Sequence, residues 1–286
     1  PKPSSAASDV YKRQVLIVLA LLSVFLPVND LNIAGMTMSV YNLISQYILI
    51  IGSIVALVFL AVAGNEKRAA AGLTRQNWKS AVLIVLAFVG IYIVRTVVSV
   101  AVQGVSDGSG MQYVKEWAAM FKNPMMWLNI AALPINYFFV FIAFFGEEYG
   151  WRYYLQPVLQ KRFGLRAGVI ILGVVWGLWH IPDDLFYYTQ TSGIQMIFAQ
   201  QITCISLGIF FAYAYMKTQN IWVPVCLHYL NNNLIPIISG TFSADVLENQ
   251  TVSWKDLPVA LVLNGLCFGF FLLADVFKKK EVQEEE

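Results

Sequence analysis

The chain has 286 residues, of which 58% are hydrophobic and 13% charged, with a formal net charge of +2. A soluble domain carries about 25% charged residues, and here the apolar residues gather in long blocks, which excludes a soluble globular fold. So small a net charge gives no basis for a nucleic-acid partner. The three cysteines, Cys204, Cys226 and Cys267, sit singly in apolar segments and exclude a disulfide framework or a cysteine zinc site.

Residues 1–14, PKPSSAASDVYKRQ, are polar and switch abruptly to an apolar run at Val15. No small-residue cleavage site follows that run, so it does not read as a signal peptide. Asp9 to Gln14 resembles the translation of a transposon-end sequencing adaptor, and 1–14 is read as a non-native scar. In keeping with that, Val15 to Val28 falls short of the roughly 20 residues a span needs. Residues 15–280 are expected to form one polytopic membrane domain. Hydropathy places apolar segments at about 15–28, 40–63, 81–103, 128–155, 167–187, 193–216, 221–238 and 257–277. The fold class predicted is an all-α membrane protein, a bundle of about eight transmembrane helices embedded in lipid.

Basic residues fall on alternate loops. Lys67, Arg68, Arg75 and Lys79 follow the second segment, Lys161, Arg162 and Arg166 the fourth, Lys217 the sixth, and Lys278, Lys279 and Lys280 the eighth. Basic loops stay cytoplasmic, so both termini are expected in the cytoplasm of a cell whose plasma membrane holds the chain. Residues 281–286 form an acidic, solvated tail.

Several ionisable residues lie at membrane depth, where each costs about 2.5–3.5 kcal/mol. The fourth segment ends Phe144-Phe145-Gly146-Glu147-Glu148-Tyr149-Gly150-Trp151-Arg152. Its three charges cost roughly 8–10 kcal/mol before pairing. Glu148 and Arg152 are four apart on one helix face and are expected to pair. Glu147 points about 100° away and finds no obvious partner on its own helix. The chain has two histidines. His180 follows Trp176-Gly177-Leu178-Trp179 late in the fifth segment, and His228 lies in the seventh, with Asn232 one turn further on. Each histidine taken alone reads as a hydrogen-bonded packing residue. Taken with an unpaired carboxylate, they make a coherent hydrolytic set. A carboxylate serves as general base on water, two imidazoles hold a metal such as Zn²⁺, and an asparagine donates to an oxyanion.

Glu147-Glu148-x-x-x-Arg152, Trp176-x-x-x-His180 and His228-x-x-x-Asn232, in this order on three segments, resemble the CAAX-protease and bacteriocin-processing family of intramembrane proteases, also called Abi or CPBP. The resemblance covers about residues 137–238. It implies an intramembrane metalloendopeptidase, and one unlike ordinary zinc metalloproteases, because the chain has no His-Glu-x-x-His helix. On this resemblance Glu147 is the catalytic base and His180 holds the same water or a metal. His228 and Asn232 complete the site, and Glu148 with Arg152 support it. A divalent metal, Zn²⁺, would be held by Glu147, His180 and His228. The substrate would be a membrane-associated peptide or protein, of the CAAX type or a peptide undergoing maturation, in a bacterium.

Two other readings stand beside this one. The same fold serves as a non-catalytic scaffold or bacteriocin self-immunity protein, and intramembrane acids and histidines also build transporters and proton relays, although no inverted repeat is visible here. Arg95 is expected either to neutralise Glu147 or Glu148 or to snorkel. Gln200 and Gln201 are expected to bond between helices. Asp183 and Asp184, after Pro182, are expected to end the fifth segment at the surface.

Overall fold

The computed structural model describes residues 30–33, 36–106, 108–240, 246 and 249–278. The segment 1–14, the apolar run 15–28 and the acidic tail 281–286 lie outside the described residues. The chain divides into two units, 1–58 and 59–286, and all the candidate site residues lie in the second.

The first unit holds a feature that hydropathy does not reveal. Strands β1 (Asp30–Ile33) and β2 (Met36–Ser39) form an antiparallel hairpin with Asp30 opposite Ser39 and Ile33 opposite Met36. Both strands are too short to register as an apolar block, and their residues alternate in polarity as a strand does. Helix α1 (Val40–Val62) follows and runs on into the second unit.

From there the chain is helical. Helices α2 (Asn65–Ala70), α3 (Trp78–Ser106) and α4 (Gln112–Met120) lead to α5 (Pro124–Glu148). A π-helical turn, Tyr149–Leu155, then passes directly into α6 (Gln156–Phe163). Helices α7 (Leu165–Trp179), α8 (Ile181–Phe186), α9 (Gly193–Thr218), α10 (Trp222–Ser239) and α11 (Asp256–Cys267) complete the order, followed by two 3₁₀ turns at Gly269–Leu273 and Asp275–Phe277. The protein is thus the helical membrane protein expected. Among the described residues, four continuous helical stretches are long and apolar enough to cross a membrane: Trp78–Ser106, Pro124–Phe163, Leu165–Phe186 and Gly193–Thr218.

The other expected spans differ for reasons visible in their residues. The eighth segment, read as continuous over 257–277, stops being α-helical at Cys267 and tightens into 3₁₀ turns after Phe268 and Gly269. The seventh forms α10 over its expected length, but His228 and the run Asn231-Asn232-Asn233 dilute its apolar character.

Helix α3 shows how the bundle is organised. Ile84, Phe88, Tyr92 and Thr96 recur every four residues and are buried, while Val82, Leu83, Leu86 and Val94 on the other faces are exposed. A soluble helix would place charge there; exposed apolar side chains on this scale match a lipid-facing surface. The buried stripe joins Phe210, Phe211, Leu207, Leu227, Trp176 and Phe268 in one core. A second cluster, with Leu133, Tyr229, Leu234 and Ile237, packs α5 against α10.

The crossing of α7 and α9 depends on small residues, as is usual between membrane helices. A Cβ on Gly173 would lie 2.6 Å from the Cα of Ile205, and one on Gly208 would lie 3.5 Å from the Cα of Gly173. Gly173→Val therefore has to push two backbones apart. We expect it to cost about 1–3 kcal/mol, read as a lower thermal midpoint of the purified protein. An unchanged midpoint would mean that the two helices do not meet this closely. The glutamine expectation holds for one of the pair at the same crossing: Gln201 Nε2 reaches the carbonyl oxygens of Gly173 and Val174, each at 3.4 Å. Gln200 instead stays on its own helix, with Nε2 3.7 Å from Cys204 Sγ.

Arg95 follows neither alternative weighed for it. Its Nε donates to Asn264 Oδ1 at 3.0 Å, and its guanidinium lies over the Tyr92 ring at 5.6 Å. It ties α3 to α11 through an asparagine that spacing arguments do not single out.

Candidate active site

Glu148 sits on the last turn of α5, where the helix enters the π turn. Such turns are rare and concentrate at functional sites. Glu148 and Arg152 are both fully buried, with Arg152 Nε 3.0 Å from Glu148 Oε2. The (i, i+4) ion pair is therefore present. Spacing could not reveal its third member: His228 Nδ1, from α10, lies 2.9 Å from Glu148 Oε1. One carboxylate thus bridges a guanidinium on its own helix and an imidazole on another.

This bridge fixes a tautomer. A carboxylate only accepts, so His228 Nδ1 carries the proton and donates it, leaving Nε2 as the acceptor of the neutral ring. The same logic applies to His180, whose Nδ1 lies 2.9 Å from the Trp176 carbonyl oxygen. His180 stands at the junction of α7 and α8, where Pro182 starts the new helix. Both imidazoles therefore commit Nδ1 to the protein and keep Nε2 for another partner.

Trp176 links the two histidines. Its ring centroid is 5.9 Å from that of His180 and 5.4 Å from that of His228, edge-to-face in both cases. Arg152 lies over the Trp176 ring at 5.2 Å and over Phe211 at 5.5 Å. Its Nη1 and Nη2 have no hydrogen-bond partner, so ion pairing and aromatic faces together accommodate this buried cation. The aromatic residue four before His180 is thus a structural centre of the site.

Glu147 is half-buried, and it does have a partner on its own helix: Trp151 Nε1 donates to Glu147 Oε2 at 3.4 Å. Trp151 lies four residues beyond Glu147, within the reach of the (i, i+4) rule once an indole N–H is counted as a donor. Asn232 stands one helical turn beyond His228 on α10. It is exposed, accepts from Asn231 Nδ2 at 2.8 Å through its Oδ1, and lines a cavity of about 380 Å³ between α5 and α10. Neither histidine nor Glu147 lines that cavity. Asn231 in turn accepts from the Tyr92 hydroxyl of α3.

The residues do not fit a metal as they stand. Among the described residues no three His, Cys, Asp or Glu side chains are gathered as ligands. Glu147, His180 and His228 are not drawn together as a ligand set.

Asp184 corrects a surface expectation. Asp183 is exposed, but Asp184 is fully buried and neither of its carboxylate oxygens has a hydrogen-bond partner. Its position on α8, which packs on α9, turns it inward, whereas hydropathy registers only that the apolar run has ended. Just beyond α8, burial pushes the Tyr188 phenol up to about 12, so it stays protonated at neutral pH.

Comparison with known proteins falls on this region. Residues 129–234 match the family of Rce1-like type II CAAX prenyl endopeptidases. Over 125 residues the chain is 27% identical to a CAAX prenyl protease 2 of Methanococcus maripaludis, an alignment covering 41% of this chain and 45% of that protein. The chain therefore spans about half the length of this curated relative. No solved structure matches it. The matched residues run from α5 to α10 and include the Glu148–Arg152–His228 cluster, so the likeness to CAAX proteases falls on the candidate site.

Proposed function

We propose that this chain is an intramembrane endopeptidase that hydrolyses a peptide bond of a membrane-associated protein or peptide, a CAAX-type tail or a maturing peptide. The observation that carries the reading is the buried Glu148 carboxylate joining Arg152 to His228. A lone structural ion pair has no need of the imidazole; here the carboxylate sets that ring's tautomer and orientation.

Glu147 is the general base. It is the carboxylate of the pair that is not consumed by an ion pair, and Trp151 holds it in place. It takes a proton from water as the water oxygen attacks the scissile carbonyl carbon. His180, with Nδ1 engaged by the Trp176 carbonyl, accepts the water's second hydrogen at Nε2, and His228 completes the site beside it. The carbonyl oxygen becomes an oxyanion, which accepts from Asn232 Nδ2, since Asn231 occupies only the Oδ1 of that side chain. The C–N bond then breaks, and Glu147 returns its proton to the leaving amine. The chain resides in the plasma membrane of a bacterium, with its basic loops in the cytoplasm.

The test is cleavage of a peptide library in H₂¹⁸O by the purified chain in lipid nanodiscs. One ¹⁸O is expected in each new carboxylate, at a defined bond. Intact peptides after prolonged incubation would overturn the proposal.

A further inference from the structure

The cavity between α5 and α10 is lined by four asparagines, Asn129, Asn136, Asn232 and Asn233, with Leu133 and Pro236 among its apolar neighbours. Asn129 and Asn136 are seven apart, hence on one face of α5. Asparagine at membrane depth is costly unless it is partnered. Part of this set is explained by packing: Asn136 Nδ2 donates to the Tyr229 hydroxyl at 3.2 Å, and Asn233 Nδ2 to the Tyr229 carbonyl at 3.0 Å. Asn129 has no hydrogen-bond partner among the described residues, and Asn232 keeps its Nδ2 donors. Pro236 adds an acceptor, because it has no N–H to give to the Asn232 carbonyl one turn earlier.

We infer that this carboxamide-lined groove binds the main chain of the substrate, as an extended segment adjoining the scissile bond. A carboxamide presents one acceptor and a donor pair, the complement of a peptide group. No charged residue lines the groove, so it selects neither a terminal carboxylate nor a cationic side chain. Its placement follows from the helix: Asn232 stands one turn beyond His228, and the groove leads away from there along α5. From Asn136 to Asn129 is about 10 Å at helical rise, which matches about three extended residues. The inference rests on the proteolytic reading, whose substrate contacts it supplies.

The test uses the full chain in nanodiscs and a quenched fluorescent peptide with a prenylated C-terminal CAAX tail, together with versions methylated at single main-chain nitrogens. Asn129→Leu is expected to raise KM about tenfold, the loss of a neutral hydrogen-bonding group, and to move kcat much less. Methylation at a groove-bound nitrogen is expected to raise KM similarly in the wild type and to add little in Asn129→Leu. The methylated series needs no variant to fold. Cleavage with an unchanged KM in Asn129→Leu, and equal methylation penalties in both proteins, would overturn the groove and leave proteolysis standing. If the wild type cleaves nothing, anisotropy of the labelled peptide decides. A Kd weakened by Asn129→Leu and by methylation supports the groove while retiring proteolysis, and a Kd unmoved by both, or no binding, overturns the groove.

Discussion

Glu148→Leu is expected to destabilise the protein by about 3–5 kcal/mol, because it leaves the fully buried Arg152 without its counter-charge. The thermal midpoint of the purified protein should fall sharply, and peptide cleavage should vanish with it. Loss of activity in that variant alone is ambiguous between unfolding and chemistry. The double variant Glu148→Leu/Arg152→Leu resolves it. Replacing a buried ion pair by apolar side chains is often neutral or stabilising, so the midpoint should recover. Activity should not, because His228 Nδ1 would still have lost its acceptor at 2.9 Å. A double variant that is both stable and active would reduce Glu148 and Arg152 to a packing pair.

Glu147→Gln should behave in the opposite way. Glu147 is half-buried and its hydrogen bond is the long contact with Trp151 Nε1 at 3.4 Å, which a glutamine oxygen also accepts. The midpoint is expected to stay within a few degrees. A general base contributes about 10²–10⁴-fold, so kcat/KM should fall by about that factor, with the decrease in kcat. The two adjacent glutamates thus separate by measurement: one carries stability and orientation, the other carries proton transfer.

The sequence makes these two legible to different degrees. The (i, i+4) rule finds Glu148 with Arg152 because both lie on one helix and helical geometry is local. It cannot find His228, eighty residues away, because only the packing of α10 on α5 brings the ring to the second carboxylate oxygen. Trp151 as the partner of Glu147 was within reach of the same rule, had indole N–H groups been counted as donors. Asn129 and Asn136 also share a helical face, but two asparagines seven residues apart gain meaning only when α10 sets Asn232 and Asn233 opposite them. Arg95 found Asn264 rather than an acid for a similar reason: tertiary contact decided among partners that charge alone could not rank.

Element boundaries show the same division. The long spans α3, α5 and α9 follow hydropathy closely, since lipid imposes length and apolarity on a helix. The π turn at Tyr149–Leu155 and the 3₁₀ turns after Cys267 lie inside segments that hydropathy reads as continuous, so no apolar count detects them.

The measurement that bears most directly on the account is the rate at which purified wild-type and Glu147→Gln proteins, in nanodiscs and matched for thermal midpoint, cleave a quenched prenylated CAAX peptide. Steady cleavage by the wild type is expected, with a loss of about 10²-fold or more in the variant. Equal rates in the two folded proteins would contradict it.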